Sequence, residues 1–313
     1  MYGYIIYGIN LEKIKEGISV VMSIELKKAT KEDILKLREH EIWDKEGKCV
    51  EFPLLHYPLL EQTEIVEHCF TTRLGGVSEG VCESLNLSFS RGDAPEAVME
   101  NYRRLATVFQ KTPEDFVCTD QTHTTTVLKV GIEEKGYGVT REKPYTDVDG
   151  LITNEPGVIL STFYADCVPL YFVDPVHRAI GLSHSGWRGT VGRMGQKTLE
   201  AMKEAYGTEP KDVYAAIGPS ICQECYEISE DVAEYFYEEF QGHGEEILIN
   251  KGNGKYHLDL WKTNEIVLLE AGILPEHLAV TNICTCCNSE ILFSHRASQG
   301  KRGNLGAFMM LKE

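Results

Sequence analysis

No stretch of the 313 residues approaches the ~20 consecutive apolar residues that a bilayer-spanning helix requires. The first residues, MYGYIIYGINLEKIKEG, carry neither the basic start nor the continuous apolar centre of a secretory signal. The expected setting is cytoplasmic, with Met22 as an alternative start. Positive charge is scarce too: 31 Lys and Arg stand against 48 Asp and Glu, a net charge of -17. Such a chain does not seek nucleic acid or anionic membranes non-specifically, although a local basic pocket remains compatible with it. There is no internal repeat and no long linker, which favours one large domain over a string of modules.

What the chain does have is an ordinary globular balance, 42% hydrophobic and 25% charged, and ten cysteines. Without a secretion signal, thiols, metal ligands or buried residues are the expected uses of those cysteines rather than disulfides. Residues 1–48 read as an appendage rich in Lys, Glu and Ile, in which TKEDILKLREHEIW suggests a short helix capped by Thr30. Residues 49–313 read as the main domain. GDAPEAVMENYRRLATVF has helical spacing, with Asp93 as its cap and Pro95 in its first turn. EIVEHCFTTR, TTTVLKV, GLIT, GVILSTFYADC, VPLYFVD and RAIGLSH are β-branched or apolar runs and read as strands. GRMGQKTLEAMKEAYG reads as a helix closed by Gly207. Strands and helices mixed in this way predict a single mixed α/β or α+β domain.

The densest chemistry lies in LSHSGWRGT, residues 182–190. A strand should end near His184, turn through glycines, and give way to a helix near Thr190. Arg188 and a helix N-terminus together make a candidate oxyanion pocket. The plain alternative is a glycine turn with Trp187 packed in the core. Cys167, in YADCVP, precedes His184 by 17 residues with one turn between the two predicted strands, so antiparallel pairing can bring them together. His123, in QTHTTT, stands beside Gln121. Two imidazoles and a thiolate with a vacant fourth position make a catalytic zinc arrangement, and copper accepts the same donors. Each residue alone also has a structural reading as a core thiol or a satisfied histidine.

FTTRLGGVSEG, SLNLS, QTH, DGLIT, PGVILSTFYADCVPLYFVDP, LSHSGWRGT, IGPSICQECYEI and CTCCNSEILFSHR occur in this order. Together they resemble the laccase-domain family, also called multicopper polyphenol oxidases or peptidoglycan editing factors, over roughly residues 50–312. The resemblance implies packed β-sheets with flanking helices. It implies a purine nucleoside phosphorylase with adenosine deaminase and methylthioadenosine phosphorylase activity, acting on purine nucleosides and phosphate. It also implies zinc ligands at His123, Cys167 and His184. In such a site Asp166 is the candidate proton shuttle for deamination. Arg188 and Arg73 are candidates for holding phosphate, and Asn86, Trp187, His295 and Arg296 for contacting the nucleoside. Arg73 or Arg296 in an ion pair, and Asn86 in a turn, are the structural alternatives.

Two positions depart from the family pattern. Thr124 follows the Q-x-H histidine where glycine is usual, and Arg302-Gly303-Asn304 stands where T-G-R is usual, with Arg302 as a substitute for the final arginine. Cys222/Cys225 and Cys284/Cys287 are C-x-x-C pairs suited to a four-thiolate zinc site. Cys225 and Cys284, however, are 59 positions apart, and reduced thiols near the core are the alternative reading. A copper-dependent polyphenol oxidase competes with the phosphorylase. The chain has ten His and no H-x-H pair, whereas four coppers need about ten His ligands, several in such pairs. A Cys167–His184 hydrolase and a non-enzymatic zinc-binding factor are the remaining candidates.

Overall fold

The strand Val168–Asp174 is buried at every position, and so is its neighbour Ala179–Ser185. A strand that is apolar on both faces must be covered on both faces. In the computed structural model, which describes residues 24–313 except residue 45, the cover comes from four layers. Two six-stranded sheets face each other and helices pack outside.

One sheet runs in the order Lys36–Trp43, Cys49–His56, Val66–Thr71, Leu305–Leu311, Ile159–Tyr164, Phe116–Cys118. The other runs Leu278–Val280, Tyr214–Ile217, Val168–Asp174, Ala179–Ser185, Gly150–Thr153, Val127–Lys129. A small third sheet joins Glu227–Ser229, Lys255–Leu258 and Leu248–Gly252. The period-2 alternation of a strand sorts each residue to one core. Tyr171 and Val173 point between the two large sheets with Leu160, Phe70 and Ile180. Leu170 and Phe172 point the other way, onto Leu199 and Met202 of helix Met194–Tyr206 and Leu268 of helix Leu260–Glu270. On the far side of the first sheet, Phe52, Leu54 and Phe308 meet Val98, Tyr102 and Leu105 of helix Pro95–Val108. This is a single α+β domain of packed sheets with flanking helices, as expected. No helix among the described residues is long and apolar enough to cross a membrane.

Three buried tyrosines tie the large sheets together across the central core. The Tyr171 hydroxyl donates to the Cys69 carbonyl at 3.0 Å, Tyr164 to Ser183 at 2.9 Å, and Tyr57 to Ile217 at 2.7 Å. Each bond satisfies a hydroxyl that burial would otherwise strand.

Two local expectations are corrected. The segment assigned to a helix capped by Thr30 is instead the strand Lys36–Trp43, paired in unbroken antiparallel register with Cys49–His56. Its alternating charges suit an edge strand, and pairing with the neighbouring strand overrides helix propensity. The helix at Pro95 has Ala94 and not Asp93 at its N-cap; the Asp93 carboxylate accepts the Asn86 amide and the Ala94 backbone amide, both at 2.9 Å. The close of helix Met194–Tyr206 at Gly207, in the left-handed region with φ 79°, is as predicted.

Replacing Tyr171 by Phe should remove one inter-sheet bond and lower unfolding free energy by about 1 kcal/mol. A denaturant midpoint unchanged from the parent would show that the bond contributes nothing to holding the sheets together.

Candidate metal centre

The site begins at the ends of two paired strands. Antiparallel register sets Pro169 opposite His184 and Val168 opposite Ser185, so Cys167 enters beside the end of the strand that carries His184. His123 arrives from a separate loop, in the left-handed region at φ 67°. Donor atoms of His123, Cys167 and His184 all lie within 4.8 Å of one another. The Cys167 sulfur is 3.8 Å from His123 Nε2, and the two imidazole rings are 5.0 Å apart, edge to face. The structure therefore brings together the three ligands that the sequence nominated.

A carboxylate that the sequence did not nominate arranges them. Asp149 is fully buried at the start of strand Gly150–Thr153. Its Oδ1 pairs with His184 Nδ1 at 2.7 Å, and its carbonyl accepts the His184 amide at 2.8 Å. The same carboxylate accepts the backbone amides of Thr122, His123 and Thr124 at 3.0, 3.2 and 2.9 Å. One side chain thus fixes the His184 ring, leaving Nε2 for a metal, and shapes the loop that presents His123. Gln121 anchors the same loop by exchanging two bonds with the Phe163 backbone, at 2.7 and 2.8 Å. The Thr124 hydroxyl also donates to the Asp149 carboxylate at 3.0 Å.

Burial pushes the Asp149 carboxyl up, but the His184 bond and the threonine amides outweigh it and hold it below the usual range. Burial would also raise the Cys167 thiol. The opposite charge of His184 and the His123 contact win, bringing it down to about 6. Burial would lower His184, yet the Cys167 thiolate and Asp149 raise it to about 9. Cys167 and His184 thus each favour the other's charged form.

Gly186 explains one glycine of LSHSGWRGT. A Cβ there would stand 2.7 Å from the His123 ring and 3.2 Å from the Cys167 sulfur. The helix follows at once, Trp187–Val191, three residues earlier than expected, and breaks at Gly192 before Met194. The donor chemistry, the anchored tautomer and the space reserved by Gly186 fit a metal ion held by His123, Cys167 and His184.

The triad lies in the wall of a cavity of about 360 Å³ that also contains Arg91, Arg302, Asp120 and Lys143. Arg302 has its Nε buried without a partner. Burial and the nearby Arg91 charge lower its pKa to about 10. It stays protonated at neutral pH, so two guanidiniums face one cavity. Arg91 carried no motif signal, whereas Arg302 was flagged as a substitute cation.

The other nominated residues do not line that cavity. Asp166 is buried, with its carboxylate bonded to the Thr285 hydroxyl at 2.6 Å and the Arg296 amide at 2.7 Å. Arg296 spends its guanidinium on the carbonyls of Cys225 and Glu227, both at 2.9 Å. Arg73 donates to the carbonyls of Glu83 and Ser289 at 2.7 and 3.1 Å and covers the Phe293 ring. Asn86 is fully buried and ties Ser88, Asp93 and Asn304 together. Arg188 lies over the Trp187 ring, and Trp187 packs on Tyr235. His295 is exposed; partial burial and the Arg302 charge hold its pKa below the usual value.

In metal-free protein, alkylation of Cys167 should accelerate as pH rises through about 6 and level off by neutral pH. A rate still climbing towards pH ~8.5, as for an ordinary thiol, would contradict the lowering of the Cys167 thiol. Asp149→Asn should weaken metal binding about 10–100-fold by releasing His184 and the His123 loop, as read by competition with a chelating dye.

Comparison with known proteins identifies the family. Residues 67–312 match the family described as multi-copper polyphenol oxidoreductase laccase. The purine nucleoside phosphorylase YlmD of Bacillus subtilis is 35% identical over 246 residues, covering 78% of this chain and 88% of the relative. A purine nucleoside phosphorylase of Deinococcus radiodurans is 39% identical over 259 residues, covering 83% of this chain and 93% of the relative. The crystal structure of YlmD from Geobacillus stearothermophilus superposes with a TM-score of 0.78 at 33% identity, over 88% of this chain and all of that one. With its motifs, fold and most of its length shared in this way, the chain belongs to the laccase-like multi-copper polyphenol oxidoreductase family.

Proposed function

We propose that this protein is a metal-dependent purine nucleoside phosphorylase that cleaves adenosine, inosine or methylthioadenosine with inorganic phosphate, and that the same site deaminates adenosine. The observation that carries the reading is the meeting of two devices in one cavity, the His123/Cys167/His184 donor triad and the Arg91/Arg302 pair. Relatives that bear the name purine nucleoside phosphorylase support it.

In phosphorolysis the bond between the purine nitrogen and C1′ breaks, a phosphate oxygen bonds to C1′, and the base leaves with a proton. The chain's own part is placement. Two guanidiniums lining one cavity favour an anion in it, and the Arg302 Nε–H has no partner of its own. Phe89 borders the cavity and stacks its ring on Tyr102 at 5.9 Å, offering an aromatic face to the purine. Asp149 keeps His184 in one orientation throughout. When bound, zinc supplies Lewis-acid chemistry, drawing electrons from the departing base or activating water for deamination. The carboxylate that borders the cavity is Asp120, paired with Lys143 at 2.5 Å, so proton transfer falls to Asp120, while Asp166 braces Cys167 from behind.

Copper binds the same donors. Among the described residues the only metal-capable group containing histidine has two of them, which suits one ion and not a four-copper cluster. Ten free cysteines fit a reducing, cytoplasmic setting.

The test uses purified full-length protein, metal analysis, and inosine or adenosine with and without phosphate. Base release should require phosphate and should fall at least about 10³-fold in Cys167→Ala, whose metal ligand is lost. Arg302→Ala should raise the KM for phosphate at least tenfold, roughly the loss of one charge-assisted contact, with metal content intact. Phosphate-independent cleavage, phenol oxidation alone, or ester hydrolysis by metal-free protein would each overturn the assignment.

A further inference from the structure

The chain carries a second thiolate cluster, away from the cavity. Cys222 and Cys225 flank a tight turn after strand Tyr214–Ile217, and Cys284 and Cys287 flank another after strand Leu278–Val280. Those two strands lie side by side in parallel register, and a bridge from Ser220 to Cys284 extends the pairing. The turns are thereby pressed together, which removes the objection that 59 residues separate the two pairs.

The four sulfurs all lie within 4.8 Å of one another, and those of Cys225 and Cys287 are 3.5 Å apart. Zinc bonds of about 2.3 Å in a tetrahedron need sulfurs about 3.8 Å apart. The backbone amides of Cys222 and Cys287 donate to the Cys284 sulfur at 3.2 and 3.4 Å. Amide donors aimed at sulfur favour its anionic form, which is the form that binds metal. Cys222 and Cys284 are buried, and no disulfide joins any of the four.

We infer that Cys222, Cys225, Cys284 and Cys287 hold a structural zinc ion as a closed tetrathiolate site, distinct from the His123/Cys167/His184 centre. Four protein ligands leave no open position, so this ion takes no part in turnover. Its effect is mechanical. It rivets two turns whose neighbours surround Asp166. The Ile221 amide donates to the Asp166 carbonyl at 3.0 Å, while Thr285 and the Arg296 amide occupy its carboxylate. Asp166 itself is held at φ 87° and is followed directly by Cys167. The rivet therefore fixes the backbone from which Cys167 reaches the first metal.

Metal analysis of the full chain purified under reducing conditions should find two zinc ions. The variant His123→Ala/Cys167→Ser should retain one, and cobalt exchanged into it should show the intense sulfur charge-transfer absorption of four thiolates. Cys225→Ser/Cys287→Ser should lose that ion and melt at lower temperature. If that variant does not fold, the cobalt spectrum of the first one decides. A His123→Ala/Cys167→Ser protein that folds without zinc would overturn the inference. So would an iron-tetrathiolate colour, a Cys225–Cys287 disulfide, or rapid alkylation of all four thiols in folded wild-type protein.

Discussion

The paired bond between Asp149 and His184 is the constraint on which the rest of the site depends. It is made inside the protein, where an unpaired carboxylate would be costly. Three loop amides complete the solvation of that carboxylate, so the charge that orients one ligand also folds the loop bearing another. A single buried anion therefore couples the second sheet to the His123 loop. The same arrangement lowers the Cys167 thiol and raises the His184 imidazole, because each favours the other's charged form against burial.

The scaffold makes this affordable by being rigid on both sides. Strands buried on two faces leave little freedom at their ends, and three tyrosine hydroxyls stop the facing sheets from sliding. Cys167 and His184 sit where those strands stop, and Gly186 marks where the chain passes too close to the ligands for a side chain. Behind Cys167, Asp166 gathers the turns at 221, 285 and 296 against the site. Arg91 and Arg302 reach the cavity from chain segments remote from His123, Cys167 and His184.

Much of this was legible in the residues. The triad could be nominated because Cys167 stands just before the start of one strand and His184 near the end of the next, with one turn between them, and antiparallel pairing brings such positions together. The apolar runs, the Gly207 helix end and the helix from Pro95 were equally readable, since periodicity and local capping govern them. The strand Lys36–Trp43 was not, because its charged, weakly alternating residues become a strand only by pairing with the neighbouring strand Cys49–His56. Arg73, Asn86 and Arg296 looked like ligand-binding groups by type, yet their polar atoms serve the backbone of neighbouring turns. Asp149 escaped notice because a lone Asp before a strand has no distinctive spacing.

The sequence by itself determined which donors exist and how the strands alternate, and it nominated His123, Cys167 and His184 as one set. Tertiary structure alone decided which carboxylate orients them, which arginines share their cavity, and that Cys222/Cys225 meet Cys284/Cys287. The physical reason is range. Strand and helix periodicity is set by near neighbours and is written locally, whereas solvation of a buried charge and convergence of distant turns depend on which surfaces the whole fold brings into contact.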